Sequence, residues 1–239
     1  MKAIILAAGR GARMRPLTDH TPKPLLAVRG RPLIEWHIEA LARAGVREIV
    51  VNTAWLEDRI VAALGDGARL GVTIRYSMEG RDFGGALETA GGIANALPLL
   101  IGDLIDHADD PFWVVSGDIF APGFAFDPAA VERFGRGDAL AHLWLVPNPP
   151  FHPSGDFGIA ADGHGLADGP GPDGLTWTYA NFALMRASLL AHVAPGTRLA
   201  LGPLLFDGMR ARRITAEVWR GEWENVGTPA QLESLNRGL

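Results

Sequence analysis

Through its first half the chain alternates short, unbroken apolar runs with stretches of helical spacing. Ala3 to Ala7 is one such run, ending at Ala8-Gly9. A strand covered on both faces reads this way, because neither of its side-chain rows meets water. From Pro32 to Ala44 the apolar positions Leu33, Ile34, Ile38, Leu41 and Ala42 keep to one helical face, closed by Gly45. Residues 47–52 form a second buried strand, and Trp55 to Leu64 a helix. Residues 71–77 alternate as a strand. Leu87 to Leu97 has helical spacing, and 112–118 is another buried strand that ends in an acid. This strand–helix order predicts an α/β sandwich with a mainly parallel sheet.

The pattern loosens after residue 120. Residues 139–147 read as a strand, and 147–174 as Pro-, Gly- and Asp-rich loops with short hairpins. Residues 175–185 read as one long strand or a strand pair. Helical spacing returns at 186–193 and 199–211, followed by a strand at 214–219. Thr228-Pro229 starts a terminal helix. There is no repeat and no linker, so the expectation is one domain with an irregular C-terminal lobe.

Composition narrows the function classes. The 239 residues are 48% hydrophobic and 21% charged, enough to bury a full core. A net charge of −5 argues against a nucleic-acid binder. The absence of cysteine excludes disulfides, thiolate catalysis and cysteine-based zinc sites, and fits a cytoplasmic protein. No apolar run approaches the length of a membrane span, and the N-terminal run is too short for a signal peptide.

Charge is unevenly placed. Between Gly9 and Arg31 lie Arg10, Arg13, Arg15, Lys23, Arg29 and Arg31, with Asp19 the only acid. Glycines let backbone N–H groups approach an anion, and arginines add forked donors that match phosphate oxygens. The loop follows the first strand, at the sheet edge where open α/β sheets bind ligands. Two common phosphate motifs do not fit. A dinucleotide fingerprint needs glycine where Met14 stands and an acid where Asn52 ends the second strand. A P-loop sequence is absent. Lysine is rare here: Lys23, between Pro22 and Pro24, is one of only two. The flanking prolines favour an extended segment around it.

The segment 6–18, "LAAGRGARMRPLT", together with "TPKPLL" (21–26) resembles the signature of the sugar-1-phosphate nucleotidylyltransferases. The segments at 50–56, 87–93, 116–119, 155–159 and 223–228 are most similar to the branch that uses UTP and N-acetylmuramate 1-phosphate. Relatives use mannose or heptose 1-phosphates with GTP. The resemblance implies a Rossmann-like, GT-A-like three-layer sandwich. Residues 1–120 would form the nucleotide-binding part, and 121–239 the sugar-binding part with the C-terminal helix.

It also implies roles for particular residues. Leu6, Ala8, Gly9 and Gly11 would cradle the nucleotide, and Arg13 would hold its β- and γ-phosphates. Lys23 would reach the α-phosphate or the sugar phosphate. Mg²⁺ would sit on Asp118 and Asn225, where the nearest relatives carry Asp in place of Asn225. The neutral amide oxygen of Asn225 is still a hard ligand, though it brings no charge. Glu224, one residue away on an extended segment, would face the other side. Glu79 would contact the base without choosing between UTP and GTP, and Thr89 the base or ribose. Asn52, Asp156 and Asn181 would bind the sugar. Trp55 and Trp223 flank the presumed cleft and are candidates for stacking on it. The expected partners are a nucleoside triphosphate and a sugar 1-phosphate, with neither nucleic acid nor membrane. Any homo-oligomer would use the domain's own faces. A catalytically weak homologue that only binds sugar nucleotides is the reading Asn225 keeps open.

Overall fold

The computed structural model describes residues 1–102 and 109–237. Its centre is a seven-stranded sheet in the order β12-β8-β11-β6-β1-β4-β5. β1 (Lys2–Leu6) lies between β4 (Glu48–Thr53) and β6 (Phe112–Ser116), parallel to both. β5 (Thr73–Met78) extends the parallel run on one side. On the other, β11 (Thr178–Met185) enters antiparallel between β6 and β8 (Ala141–Val146), and β12 (Ile214–Val218) pairs parallel with β8. The second half of the chain therefore completes the sheet begun by the first.

Helices cover both faces. α1 (Leu33–Arg43), α2 (Glu57–Leu64) and α5 (Pro128–Arg136) bury Ile34, Ile38, Leu41, Ile60, Ala130 and Phe134 in one core. The same core holds a buried aromatic cluster, in which Phe124 stacks on Phe182 with centroids 4.1 Å apart. Such a pair adds about 1 kcal/mol beyond area burial. α4 (Glu88–Ile101) and α6 (Gly202–Arg210) bury Ile93, Ala94, Leu205 and Met209 in the core on the other face. These layers match the three-layer sandwich expected from the sequence. The short α3 (Glu79–Phe83) links β5 to α4.

The small elements differ more from expectation. The 186–193 segment is a 3₁₀ turn, Ala187–Leu190, and α4 runs a turn past Leu97 with Pro98 inside it. Residues 175–185 give one strand, β11, whose pairing with β8 shifts register between Tyr179 and Phe182. Three two-stranded pieces complete the fold. β2 (Ala27–Val28) pairs with β3 (Arg31–Pro32), β9 (Gly158–Ile159) with β10 (Gly165–Leu166), and β7 (Ile119–Phe120) with β13 (Glu224–Asn225). α7 (Pro229–Asn236) starts at a capping box, with Thr228 accepting from the Gln231 N–H. No described helix is long and apolar enough to cross a membrane.

Candidate active site

The carboxyl ends of β1, β4 and β6 open onto a cleft of about 400 Å³. Leu6, Ala8 and Gly9 form one wall, and Thr89 in the first turn of α4 lies on the opposite wall. Gly11 has φ +65 and packs tightly, since a Cβ there would lie 3.0 Å from Thr18 and 3.3 Å from Lys23. Only glycine suits both constraints. The loop is held further by Thr18, whose hydroxyl donates to the Gly11 carbonyl at 2.8 Å.

Lys23 and Asp118 close the floor. Asp118 sits in the turn between β6 and β7, and its Oδ2 accepts from the Lys23 ammonium at 2.7 Å. The extended segment expected around Lys23 requires correction. Pro22 is extended, but Lys23 opens a 3₁₀ turn, Lys23–Leu25, closed by the Leu26 N–H on the Lys23 carbonyl. Pro24 fits because its fixed φ suits a helical turn as well as an extended chain.

Asn225 lies in β13, paired beside the segment that carries Asp118. β7 and β13 pair Ile119 with Asn225, and the Val226 N–H donates to the Asp118 carbonyl at 3.0 Å. The Asn225 Oδ1 is buried and has no hydrogen-bond partner. An orphaned buried oxygen costs about 1–3 kcal/mol, so its retention on the strand paired next to Asp118 fits a hard cation as the missing partner. Glu224 faces away, bonded to the Gln231 amide at 2.6 Å, and burial pushes its carboxyl up. Arg13 is exposed and, among the described residues, makes no ion pair. Its guanidinium lies 3.5 Å from where a Gly227 Cβ would project.

Other predicted residues are placed differently. Glu79 is 0% exposed. It accepts from the Asn52 amide and from the Leu87 N–H, each at 2.7 Å. Burial pushes its carboxyl up, opposed by those two bonds. Asn52 lines the cleft, but its Oδ1 is taken by the Ala7 N–H at 2.8 Å. Asp156 and Asn181 line a second hollow of about 390 Å³ that shares Thr89 with the first. The Asp156 carboxylate accepts from the Tyr179 N–H at 2.8 Å and meets the His152 ring at 2.9 Å. Asn181 has φ +63 at the register shift of β11, a bulge that aims a side chain.

The tryptophans are not bare stacking platforms. The Arg10 guanidinium covers Trp55 at 4.5 Å, and Trp223 donates to the Ala180 carbonyl against the core. Of the basic cluster, Arg15, Arg29 and Arg31 pair with Asp19, Glu222 and Glu39. Arg10 of the basic cluster lines the cleft, as do Ser116 and Arg198, to which the sequence analysis gave no role. Arg198 carried no local signal. It is presented from a segment fixed to α4 by the Leu199 N–H on Leu87 and the Gly91 N–H on Leu199. Glu88 faces Arg198 at 3.4 Å and has φ +62, a strained start for α4.

The model of the nucleotidyl transferase family matches residues 2–165. The chain belongs to the nucleotidyl transferase family. It is 45% identical over 98% of its length, and 96% of the relative's, to an N-acetylmuramate alpha-1-phosphate uridylyltransferase from Neisseria meningitidis. A mannose-1-phosphate guanylyltransferase from Mycobacterium tuberculosis is 31% identical over 62% of this chain and 38% of its own. HddC from Yersinia pseudotuberculosis superposes over 99% of this chain and 98% of its own with a TM-score of 0.74 at 18% identity, which speaks to the fold alone. This nucleotidyl transferase is thus an α/β enzyme whose cleft gathers cations at a strand end. Neutralising phosphate charge there is what nucleotidyl transfer requires.

Proposed function

We propose that the enzyme transfers a uridylyl group from UTP to N-acetylmuramate 1-phosphate and releases pyrophosphate. The near full-length identity to the meningococcal uridylyltransferase carries this reading. An oxygen of the sugar phosphate attacks the α-phosphorus of UTP. A phosphorus–oxygen bond forms there as the bond to the β-phosphate bridge breaks, and that electron pair leaves with pyrophosphate. The reaction needs no nucleophilic side chain. It needs two polyanions held in line with their charge offset.

The residues divide that work. Lys23, tied to Asp118 at 2.7 Å, presents a compact ammonium to the α-phosphate and the incoming sugar phosphate. Arg13, exposed beside Gly227, takes the β- and γ-phosphates. The glycine-rich loop supplies backbone N–H donors, and Thr89 meets the base or ribose from the opposite wall. The adjoining hollow, with Asp156 and Asn181, takes the sugar. Asp118 and Asn225 would hold Mg²⁺, which would supply further charge neutralisation when bound. Mg²⁺ characteristically completes its shell with phosphate and water oxygens, so two protein oxygens would suffice. Both substrates are phosphorylated and do not cross membranes unaided. The reaction therefore belongs in the cytoplasm, in the reuse of cell-wall sugars.

The test is pyrophosphate release from UTP, GTP and dTTP against N-acetylmuramate, mannose and glucose 1-phosphates, with products identified by mass. The UTP and N-acetylmuramate pair should dominate kcat/KM. Dominance of a GTP pair, or tight sugar-nucleotide binding with no turnover, overturns the reading.

A further inference from the structure

We propose that Asn52 and Glu79 form a buried positioning bridge that sets the spacing between the two walls of the nucleotide cleft. The inference rests on the nucleotide-binding reading of that cleft and gives two almost fully buried residues the task of positioning the backbone around it. Three hydrogen bonds run in series. The Ala7 N–H donates to Asn52 Oδ1 at 2.8 Å, Asn52 Nδ2 to Glu79 Oε1 at 2.7 Å, and the Leu87 N–H to Glu79 Oε2 at 2.7 Å. One end is the residue before Ala8 and Gly9. The other is the residue before Glu88 and Thr89. Ala7 itself lines the cleft, and Leu87 lies between Ala86 and Glu88, which also line it.

Packing shows that the bridge is built in. Asn52 is 2% and Glu79 0% exposed. α4 crosses directly over their hydrogen bond at Gly92, where a Cβ would lie 2.6 Å from both Asn52 Nδ2 and Glu79 Oε1. Among the described residues no lysine or arginine pairs with Glu79, and the charged group that acts on it is the like-charged Glu57. Burying a carboxylate without a cation is costly, and apolar side chains of similar volume would hold the fold as well. The Ala7 N–H also reaches the Asn52 carbonyl at 3.2 Å, but apolar side chains could not link that amide to the Leu87 N–H. The strained φ of Glu88 follows immediately after the anchored Leu87, so the bridge also holds the bend that turns Thr89 toward the cleft.

The polarity of the chain gives a decisive test. In Glu79→Gln one donor loses its acceptor, and in Asn52→Asp two carboxylates face each other. The double variant N52D/E79Q restores all three bonds with the central one reversed. The new carboxylate at 52 accepts from Ala7 and from the amide at 79, whose oxygen accepts from Leu87. Kinetics with UTP and N-acetylmuramate 1-phosphate should show KM for UTP raised about tenfold or more in each single variant, with kcat changed less than about threefold. The double variant should return to within about threefold of wild type. Hydrogen exchange over the peptides holding Ala7 and Leu87 should rise in the singles and recover in the double. Single variants with wild-type KM, or a double variant no better than either single, overturn the bridge. If the singles do not fold, a folded, active double supports it, and an unfolded double overturns it. A wild type inactive with every substrate pair would sink the proposed function instead. Exchange alone would then decide the bridge, and unchanged protection in the variants would overturn it.

Discussion

Lys23 and Asp118, 95 residues apart in sequence, meet as a 2.7 Å hydrogen-bonded ion pair with the lysine side chain only 10% exposed. The partner carboxylate is 34% exposed on the cleft floor. The pair fixes the ammonium at the end of β6 while leaving it donors for a phosphate, since an ammonium has three.

Replacing that ammonium isolates its role. Lys23→Ala should lower kcat by at least about a hundredfold, the scale of removing one preorganised charge from a developing anionic centre. The lysine side chain is buried while Asp118 is partly solvated, so stability should fall by about 1–3 kcal/mol with the fold retained. Steady-state kinetics beside urea unfolding checks both, and a near-wild-type kcat contradicts the role.

Asn225 tests the metal side. Asn225→Asp adds a charge at the orphaned oxygen, and should keep or raise activity while lowering the Mg²⁺ concentration for half-maximal rate severalfold. Asn225→Leu should raise that concentration. A large loss of rate in the aspartate variant would mean that Asn225 does not ligate the metal. The Mg²⁺ dependence of initial rates reads all three.

Much of this was legible in the sequence, for identifiable reasons. The parallel strands read clearly because burial on both faces leaves unbroken runs such as Ala3–Ala7, and the glycine-rich loop because Gly11 needs a left-handed turn. The burial of Glu79 was not legible because an acid at a strand end looks the same whether it faces a ligand or buries itself against two amides. Arg198 was missed because backbone pairing between Leu87, Gly91 and Leu199 brings it to the cleft, and backbone pairing leaves no side-chain pattern. The turn at Lys23 was read as extended because proline permits both conformations.

Gly91 carries that docking. A Cβ there would lie 2.1 Å from the Thr197 carbonyl oxygen. Gly91→Ala should therefore cost about 1–3 kcal/mol and displace Arg198, raising a substrate KM while leaving the sheet intact. Urea unfolding and kinetics check this, and unchanged stability contradicts the packing.

His37 gives the protein an acid-side slope. Its ring meets the Ile119 carbonyl at 2.7 Å, and burial lowers its pKa from 6.5 to about 4, with that hydrogen bond and Asp118 opposing. The unfolded chain takes up this proton first. Stability is thus fully present above about pH 6.5 and falls as pH drops toward 4, by up to about 3 kcal/mol. His37→Gln, which keeps a donor for Ile119, should flatten that part of the slope in urea melts across pH. An unchanged slope would assign it to other groups.

The most direct test of the whole account is the rate of pyrophosphate release by the purified chain with UTP, N-acetylmuramate 1-phosphate and Mg²⁺. The account predicts sustained turnover that yields UDP-N-acetylmuramate and a kcat/KM above that of every other triphosphate and sugar-phosphate pair. No turnover with that pair, or faster turnover with GTP and a mannose or heptose phosphate, would contradict it.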